Sequence, residues 1–190
     1  MNIHLSHNQS GFSLVETLVA ITILLIVITG PMAIATNASR ATSFANQQTI
    51  AYFLAQEGLE LAQKGRDDLL LAEFTAQNNS GWDDFTDTSN GSGFEYCLNN
   101  TGDEQCGLTI NTDGTGTLNI VDCEGANTTD CRLYYDATAG ERARYTHTPT
   151  ATTTDYIRLI TMEETVVDRE VLVTSVVRWR SDGQLQEQSI

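Results

Sequence analysis

FSLVETLVAITILLIVITGPMAIA, residues 12–35, is an almost unbroken apolar run near the N-terminus of a 190-residue chain. Between Met1 and Ser39 the only Asp, Glu, Lys or Arg is Glu16. A helix rises about 1.5 Å per residue, so about twenty residues cross a bilayer core of about 30 Å. The run therefore predicts a membrane-spanning helix.

Three kinds of N-terminal segment fit this run. The first is a plain transmembrane anchor. The second is a secretory signal peptide cut after residues 33–35, Ala-Ile-Ala; such peptides begin with a positively charged region, whereas residues 1–11 contain no Lys or Arg. The third starts from Glu16, because a carboxylate inside a membrane helix costs about 2.5–3.5 kcal/mol even on the lenient insertion scale. Glu16 is therefore a candidate functional residue that needs a partner.

The residues around Glu16 resemble a known family motif. The stretch GFSLVETL, residues 11–18, is similar to the cleavage and methylation motif of type IV prepilins and type II secretion pseudopilins. The resemblance implies that prepilin peptidase cuts between Gly11 and Phe12 and that Phe12 is then N-methylated. It also implies that Glu16 pairs with the N-terminal amine of a neighbouring subunit.

Three further features bear on this resemblance. The run AYFLAQEGLE, residues 51–60, is similar to the helix of some minor pilins. Family leaders usually carry Lys or Arg, whereas this one carries only His4 and His7. The family's helix proline also usually lies slightly deeper than Pro31.

The resemblance implies four segments. These are a prepilin leader (residues 1–11), a transmembrane and assembly helix (12–36), an amphipathic continuation of that helix (37–80) and an exported β-rich head (81–190). The chain would cross the cytoplasmic membrane once and then enter a cell-surface or periplasmic filament. The implied partners are other pilin subunits, met through their N-terminal helices, and the pilus or type II secretion assembly platform.

Small and apolar residues continue at spacings of three and four beyond the membrane run, which places them on one face of a helix. They are Ala51, Leu54, Ala55, Gly58, Leu61, Ala62, Gly65, Leu69 and Ala72. We expect this face to pack on the chain's own sheet, with contact between subunits as the alternative. Residues 78–81, Asn-Asn-Ser-Gly, should end the helix, because Asn and Gly favour the left-handed conformation.

Alternating apolar residues predict strands in the head. They are residues 107–121, which would form a hairpin turning at Asp113-Gly114, and residues 156–162, 171–179 and 185–190. Asp182-Gly183 is a strong two-residue turn signal between the last two. Residues 136–155 read as a Thr-rich connection, and Trp82 and Phe85 as core aromatics. A long helix packed on an antiparallel sheet is an α+β fold, which the family resemblance also implies.

The four cysteines, Cys97, Cys106, Cys123 and Cys131, lack C-x-x-C spacing, and His147 is the only histidine beyond residue 7. A zinc site is therefore not expected. An even cysteine count in a polar, loop-rich region predicts disulfides and an oxidising compartment. Three pairings exist. Cys97–Cys106 and Cys123–Cys131 are favoured, because each closes a short loop at a smaller entropic cost.

Oxygen-rich stretches raise the question of calcium, which binds carboxylate and carbonyl oxygens. Asp122, Glu124 and Asp130 form one stretch, and Asn111 and Asp113 the other. Neither matches a known calcium loop, so no metal site and no cofactor are predicted, and a structural calcium ion at one of these stretches is the alternative.

The net charge of −15 argues against direct binding of nucleic acid, which needs clustered Lys and Arg. No nucleophile motif, phosphate-binding loop or H-E-x-x-H pattern is present. His147 is expected to be a solvated loop residue. The sequence thus predicts no catalytic residue and no enzyme.

Two function classes remain: a structural subunit of a filament, which is favoured, and a membrane-tethered surface binding or adhesion protein. Glu16 separates them, because a tether has no use for a carboxylate in the membrane, whereas a helical assembly can pair it repeatedly. The large, irregular head favours a minor subunit, since major subunits must tile densely.

Overall fold

The computed structural model describes residue 11 and residues 13–77, 80–87, 93–98, 104–111, 115–123, 131–137, 144–149 and 152–190. The chain divides into two compact units, Met1–Ala45 and Asn46–Ile190. We refer to the second unit as the head.

Helix α1, Leu14–Ala76, is 63 residues long and contains Pro31. An 18-residue window within it has a mean hydropathy of 2.6, so by length and composition the helix can cross a membrane. The threonine hydroxyls of α1 donate hydrogen bonds to carbonyl oxygens of the preceding turn. For example, Thr22 Oγ1 donates to the Leu18 carbonyl at 2.7 Å. Such bonds satisfy a polar group that lipid cannot.

Helix α1 ends at Ala76, two residues before the predicted stop at residues 78–81. Gln77 follows it in the left-handed conformation, with φ of 56°. A left-handed residue is a common helix ending, but here it is Gln77 rather than an Asn or a Gly. Asn78 and Asn79 lie outside the described residues. The short helix α2, Gly81–Thr86, follows.

The predicted small-residue face of α1 packs on the chain's own sheet. Every member from Ala51 to Gly65 is buried, Leu69 is partly buried, and Ala72 is exposed. The prediction is therefore confirmed as far as Leu69 and wrong at Ala72. A Cβ on Gly58 would lie 2.5 Å from Ser175 Oγ, so the absence of a side chain there sets how closely helix and sheet approach.

Within the described residues, seven strands form one antiparallel sheet, and a turn of 3₁₀ helix, Phe94–Tyr96, precedes them. The strands are β1 Cys106–Ile110, β2 Leu118–Asp122, β3 Arg132–Asp136, β4 Arg144–Thr146, β5 Thr152–Val166, β6 Glu170–Ser181 and β7 Gln184–Ser189. Strand β5 is central: it pairs with β6 along most of its length, and also with β1 and β3. The α+β prediction, a long helix with a C-terminal antiparallel sheet, is confirmed.

Both predicted hairpins form. Strands β1 and β2 pair with Leu108 opposite Ile120, although Asp113 and Gly114 lie outside the described residues. Strands β6 and β7 pair from Ser181 and Gln184 outwards. The two residues between them, Asp182 and Gly183, both have positive φ, at 49° and 80°. Positive φ at both central residues is what a two-residue hairpin turn requires when its twist matches that of the two strands.

The prediction of a Thr-rich connection over residues 136–155 is wrong. Strand β4 lies within this range, and β5 begins at Thr152, four residues before the predicted strand. Strand β3 was not predicted at all. The physical reason is that Thr is β-branched and suits a strand, so its abundance in residues 152–154 marked a strand rather than a loop.

The core of the head lies between α1 and the sheet. One cluster gathers Phe85, Phe94 and Leu108 around Leu61 and Ala62, and a second gathers Leu133, Tyr156, Val177 and Trp179 around Ala51, Leu54 and Ala55. The prediction of core aromatics is confirmed for Phe85, while Trp82 is only partly buried.

Candidate functional site

The candidate site is the segment around the start of α1. Gly11 is exposed, and a Cβ built on it would meet no other atom within 4 Å. The folded chain therefore does not itself require glycine at this position. If glycine is needed at position 11, the need would arise from a protein that binds this segment. Phe12 lies outside the described residues.

Glu16 lies in the first turn of α1. A carboxylate near a helix N-terminus interacts favourably with the helix dipole and with N–H groups that have no partner in the helix. Among the residues that the structure describes, Glu16 makes no ion pair. The nearest Lys or Arg in the sequence is Arg40, about 36 Å further along a helix rising 1.5 Å per residue. A cationic partner for Glu16 would therefore come from the residues that precede it, which include His4 and His7, or from another molecule.

The helix surface that follows Glu16 is apolar on all sides. Its large apolar side chains are exposed, from 49% for Val19 to 72% for Ile26 and Ile34. A helix that is apolar all round belongs in a membrane or among other apolar helices. The site thus consists of a single carboxylate at the beginning of a long surface that water does not favour.

Arg158 is a buried charged residue that the sequence did not single out. It is fully buried, and its Nη1 donates to the Leu54 carbonyl at 3.1 Å and to Glu57 Oε2 at 2.7 Å. Its Nη2 donates to the carbonyl of Leu108. Burial lowers the pKa of Arg158, and the Glu57 carboxylate opposes that shift. The guanidinium joins α1, β1 and β5, so its role is to hold the head together rather than to carry out chemistry.

His147 lies outside the strands, as expected of a loop residue, but the expectation that it is solvated is wrong, because the side chain is only 6% exposed. Burial lowers its pKa to about 4, and the positive charge of Arg158 acts in the same direction. The burial of His147 could not be predicted from the sequence, because it results from the packing of this loop against Gly107, which is distant along the chain.

The cysteines are joined as Cys97–Cys106 and Cys123–Cys131, with Cα–Cα distances of 4.7 and 5.7 Å. This is the pairing that loop length favours. Bonded sulfurs are not available as metal ligands.

Within the described residues, no three His, Cys, Asp or Glu side chains are grouped so that they could hold a metal ion. Three of the candidate calcium ligands, Asp113, Glu124 and Asp130, lie outside those residues. The expectations about calcium therefore stay predictions.

Comparison with known proteins bears on the N-terminal site. Residues 6–30 match a family model, the prokaryotic N-terminal methylation motif. The match includes Gly11, Phe12 and Glu16, and it is consistent with the type IV pilin and pseudopilin family. No curated protein and no solved structure matches the chain.

Proposed function

We propose that this chain is a structural subunit of a type IV pilus or pseudopilus filament, processed by prepilin peptidase and assembled through its N-terminal helix. The observation that carries the proposal is the placement of Glu16. It lies in the first turn of α1 and is the only Asp, Glu, Lys or Arg of that helix before Arg40, inside a matched N-terminal methylation motif.

Cleavage after Gly11 would supply the missing partner. It would create a positively charged amine on Phe12, four residues before Glu16 and thus about 6 Å along a helix. A neighbouring subunit could present the same amine. Pairing two charges in an apolar environment favours one axial register over all others, because any other register leaves both unpaired. A head-to-tail contact of this kind, if its rotation does not close, gives an open filament.

The motif and the apolar helix support anchoring in the membrane. We propose that the anchor lies in the cytoplasmic membrane and that the head is exported. The two disulfides of the head support export, because disulfides form in oxidising compartments. The motif implies processing by the peptidase and contact with pilus or secretion machinery. Other pilin subunits and the assembly platform are the partners proposed for the mature chain.

The methylation motif points to a structural protein rather than an enzyme. We propose a minor subunit, because an irregular head tiles poorly. The second candidate function is a membrane-tethered surface binding or adhesion protein. It would use the same apolar helix but would leave Glu16 without a role.

The experiment that tests the proposal replaces Glu16 and measures the ratio of this subunit in sheared filaments to that in membranes. Glu16→Leu and the near-isosteric Glu16→Gln should both insert into the membrane and fold. Both should lower the ratio by about tenfold or more, because truncating one partner of a buried charge pair costs at least 2 kcal/mol. The matched control is Thr17→Ala, which changes the adjacent residue of the same turn without removing a charge. A ratio that Glu16→Leu and Glu16→Gln leave unchanged would favour the tethered protein.

A further inference from the structure

An open sheet edge lies along β7. Among the residues that the structure describes, β7 pairs with β6 alone and in an unbroken register. Just beyond β7, Ser175 and Ile190 exchange both of their backbone hydrogen bonds, at 2.9 and 3.0 Å. Along an antiparallel ladder, hydrogen-bonded pairs alternate with pairs that exchange no bond. The residues of β7 that bond to β6 are therefore Gln184, Gln186 and Gln188. The residues whose N–H and C=O groups point away from β6 are Leu185, Glu187 and Ser189.

The outward-pointing residues of β7 are all exposed. The carbonyl of Ser189 accepts a hydrogen bond from Gln188 Nε2 at 3.1 Å, which leaves the outward groups of Leu185 and Glu187 for a further strand. Proteins usually protect an open edge with Pro, Lys or a bulge. Strand β7 contains no Pro and no Lys, and its register has no shift. Its one charge, Glu187, is paired with Arg178 at 2.7 Å. The edge is thus suited to the addition of an extended segment.

The side chains along this edge are complementary to themselves. Gln184, Gln186 and Gln188 occupy alternate positions, so their side chains lie on one face of the sheet. A glutamine amide both donates and accepts hydrogen bonds, and directly opposite side chains of neighbouring strands interact. The segment that best matches three alternating glutamines is therefore another strand with glutamines at the same spacing.

We infer that β7 pairs antiparallel with β7 of a second copy of this chain, about a twofold axis at Gln186. In this register Gln186 lies opposite Gln186 of the second copy, and Gln184 lies opposite Gln188. Each glutamine therefore has a glutamine as its cross-strand partner. Leu185 lies opposite Glu187 of the second copy, and these two residues exchange their outward backbone hydrogen bonds.

The other symmetric registers are less favourable. An axis at Glu187 would place two glutamates directly opposite each other, and like charges in that position destabilise a sheet. An axis at Leu185 or at Gln188 would leave at least one glutamine of each copy without a glutamine opposite. Charge and side-chain pairing thus both select the axis at Gln186.

The symmetry of the contact says which copies it joins. Both copies use the same surface, so the contact closes after two. Successive subunits of a helical filament differ by a rise along its axis, which a twofold contact does not have. The contact therefore joins subunits of two filaments rather than neighbours within one. Only this step rests on the proposed function, because β7 of the isolated chain can pair in the same way.

Single cysteines test the register, because the four natural cysteines are all joined in disulfides. The Cα atoms of a directly opposite pair that exchanges no hydrogen bonds lie about 4.5 Å apart, which a disulfide can bridge. Gln186→Cys in the detergent-solubilised full-length chain should therefore form a disulfide-linked dimer under mild oxidation. Gln184→Cys is the matched control: the two copies of this residue lie about 13 Å apart along the strands, and it should form none. Mixing Gln184→Cys and Gln188→Cys chains with different tags should restore a dimer that bears both tags.

A second measurement removes the contact instead of trapping it. The N–H of Leu185 points away from β6, so Leu185→Pro breaks no bond within the head but deletes a bond to the second copy. It should abolish the Gln186→Cys dimer, whereas Leu185→Ala, which keeps the N–H, should preserve it. Equal dimer from Gln186→Cys and Gln184→Cys would overturn the inference. So would a folded Leu185→Pro variant that still dimerises, or a Gln186→Cys chain that joins only another protein.

Filaments from two strains locate the contact. Each strain carries Gln186→Cys with a different tag, and mixing their filaments under mild oxidation should give a dimer that bears both tags. If the solubilised chain dimerises and the filaments contain the chain, absence of the mixed dimer refutes contact between filaments. A chain that dimerises in detergent but never enters filaments refutes the proposed function instead, and leaves the pairing of β7 in place.

Discussion

The Nδ1 atom of His147 lies 3.1 Å from the carbonyl oxygen of Arg132, in the interior of the head. A carbonyl oxygen can only accept, so Nδ1 carries the proton and donates it. Because burial lowers the pKa of His147 to about 4, the ring is neutral near pH 7, with its single proton on Nδ1. No described residue hydrogen-bonds to Nε2. Protonating Nε2 would place a second cation near buried Arg158.

The stability of the head should depend on pH through His147. Its pKa is about 4 in the folded chain against a usual value of 6.5. Between these values the unfolded chain binds more protons than the folded one, so stability rises with pH. The contribution is complete above pH 6.5 and is lost as the pH falls to about 4. Its full size is about 3 kcal/mol, since one pKa unit corresponds to about 1.4 kcal/mol.

Unfolding by urea between pH 4 and 7, followed by tryptophan fluorescence, measures this dependence, because Trp82 and Trp179 both lie in the head. His147→Asn keeps a donor for the Arg132 carbonyl but does not titrate. The variant should show a clearly flatter dependence between pH 5 and 6.5, where few carboxylates titrate. Parallel curves for the two proteins would show that His147 is protonated without cost.

The ion pair of Arg158 and Glu57 should matter more to stability than an equally short surface pair. The Arg158 side chain is fully buried while that of Glu57 is 41% exposed, and they meet at 2.7 Å. Glu57→Gln would leave a buried guanidinium without its counter-charge. It should lower the free energy of unfolding by about 1–3 kcal/mol, which is less than the loss expected when a fully buried pair is broken.

Glu187→Gln is the matched control, because Arg178 and Glu187 also meet at 2.7 Å but are both partly exposed. Both variants change the net charge equally. The control should cost less than about 1 kcal/mol. Equal shifts of the urea midpoint would show that burial of Arg158 adds nothing to the pair.

The parts of the fold that follow from local sequence were predictable. The turn at Asp182-Gly183 and the alternation in β6 depend on residues that are adjacent in the sequence. The motif around Glu16 is also a short stretch of adjacent residues. Burial of His147 and Arg158 could not be predicted this way, because it depends on which strands become neighbours. Arg158 interrupts an apolar strand two residues before Ile160, and that position in the alternation was the one signal of its inward direction.

Gly58 should not tolerate a side chain, although it lies within a helix. At an exposed helix position Ala is favoured over Gly by about 1 kcal/mol. Here a Cβ would lie 2.5 Å from Ser175 Oγ and 2.8 Å from Ile160 Cδ1. Gly58→Ala should therefore destabilise the head by about 1–3 kcal/mol, in line with the overpacking of other cores.

Gly30→Ala is the control for this prediction, since a Cβ at Gly30 meets nothing within 4 Å. It should leave the thermal unfolding of the head unchanged. A Gly58→Ala head as stable as the natural one would show that α1 can shift away from the sheet without loss.

The mature N-terminus tests the account most directly, because every step of assembly proposed above starts from the amine of Phe12. Mass spectrometry of the chain recovered from sheared surface filaments should show a protein that begins at Phe12 and carries one added methyl group. Replacing Gly11 with Leu should leave the leader attached, while the fold stays intact because a Cβ at Gly11 would meet nothing within 4 Å. An intact leader in the assembled protein, or a terminus at Thr36 as an ordinary signal peptide would give, would contradict the account.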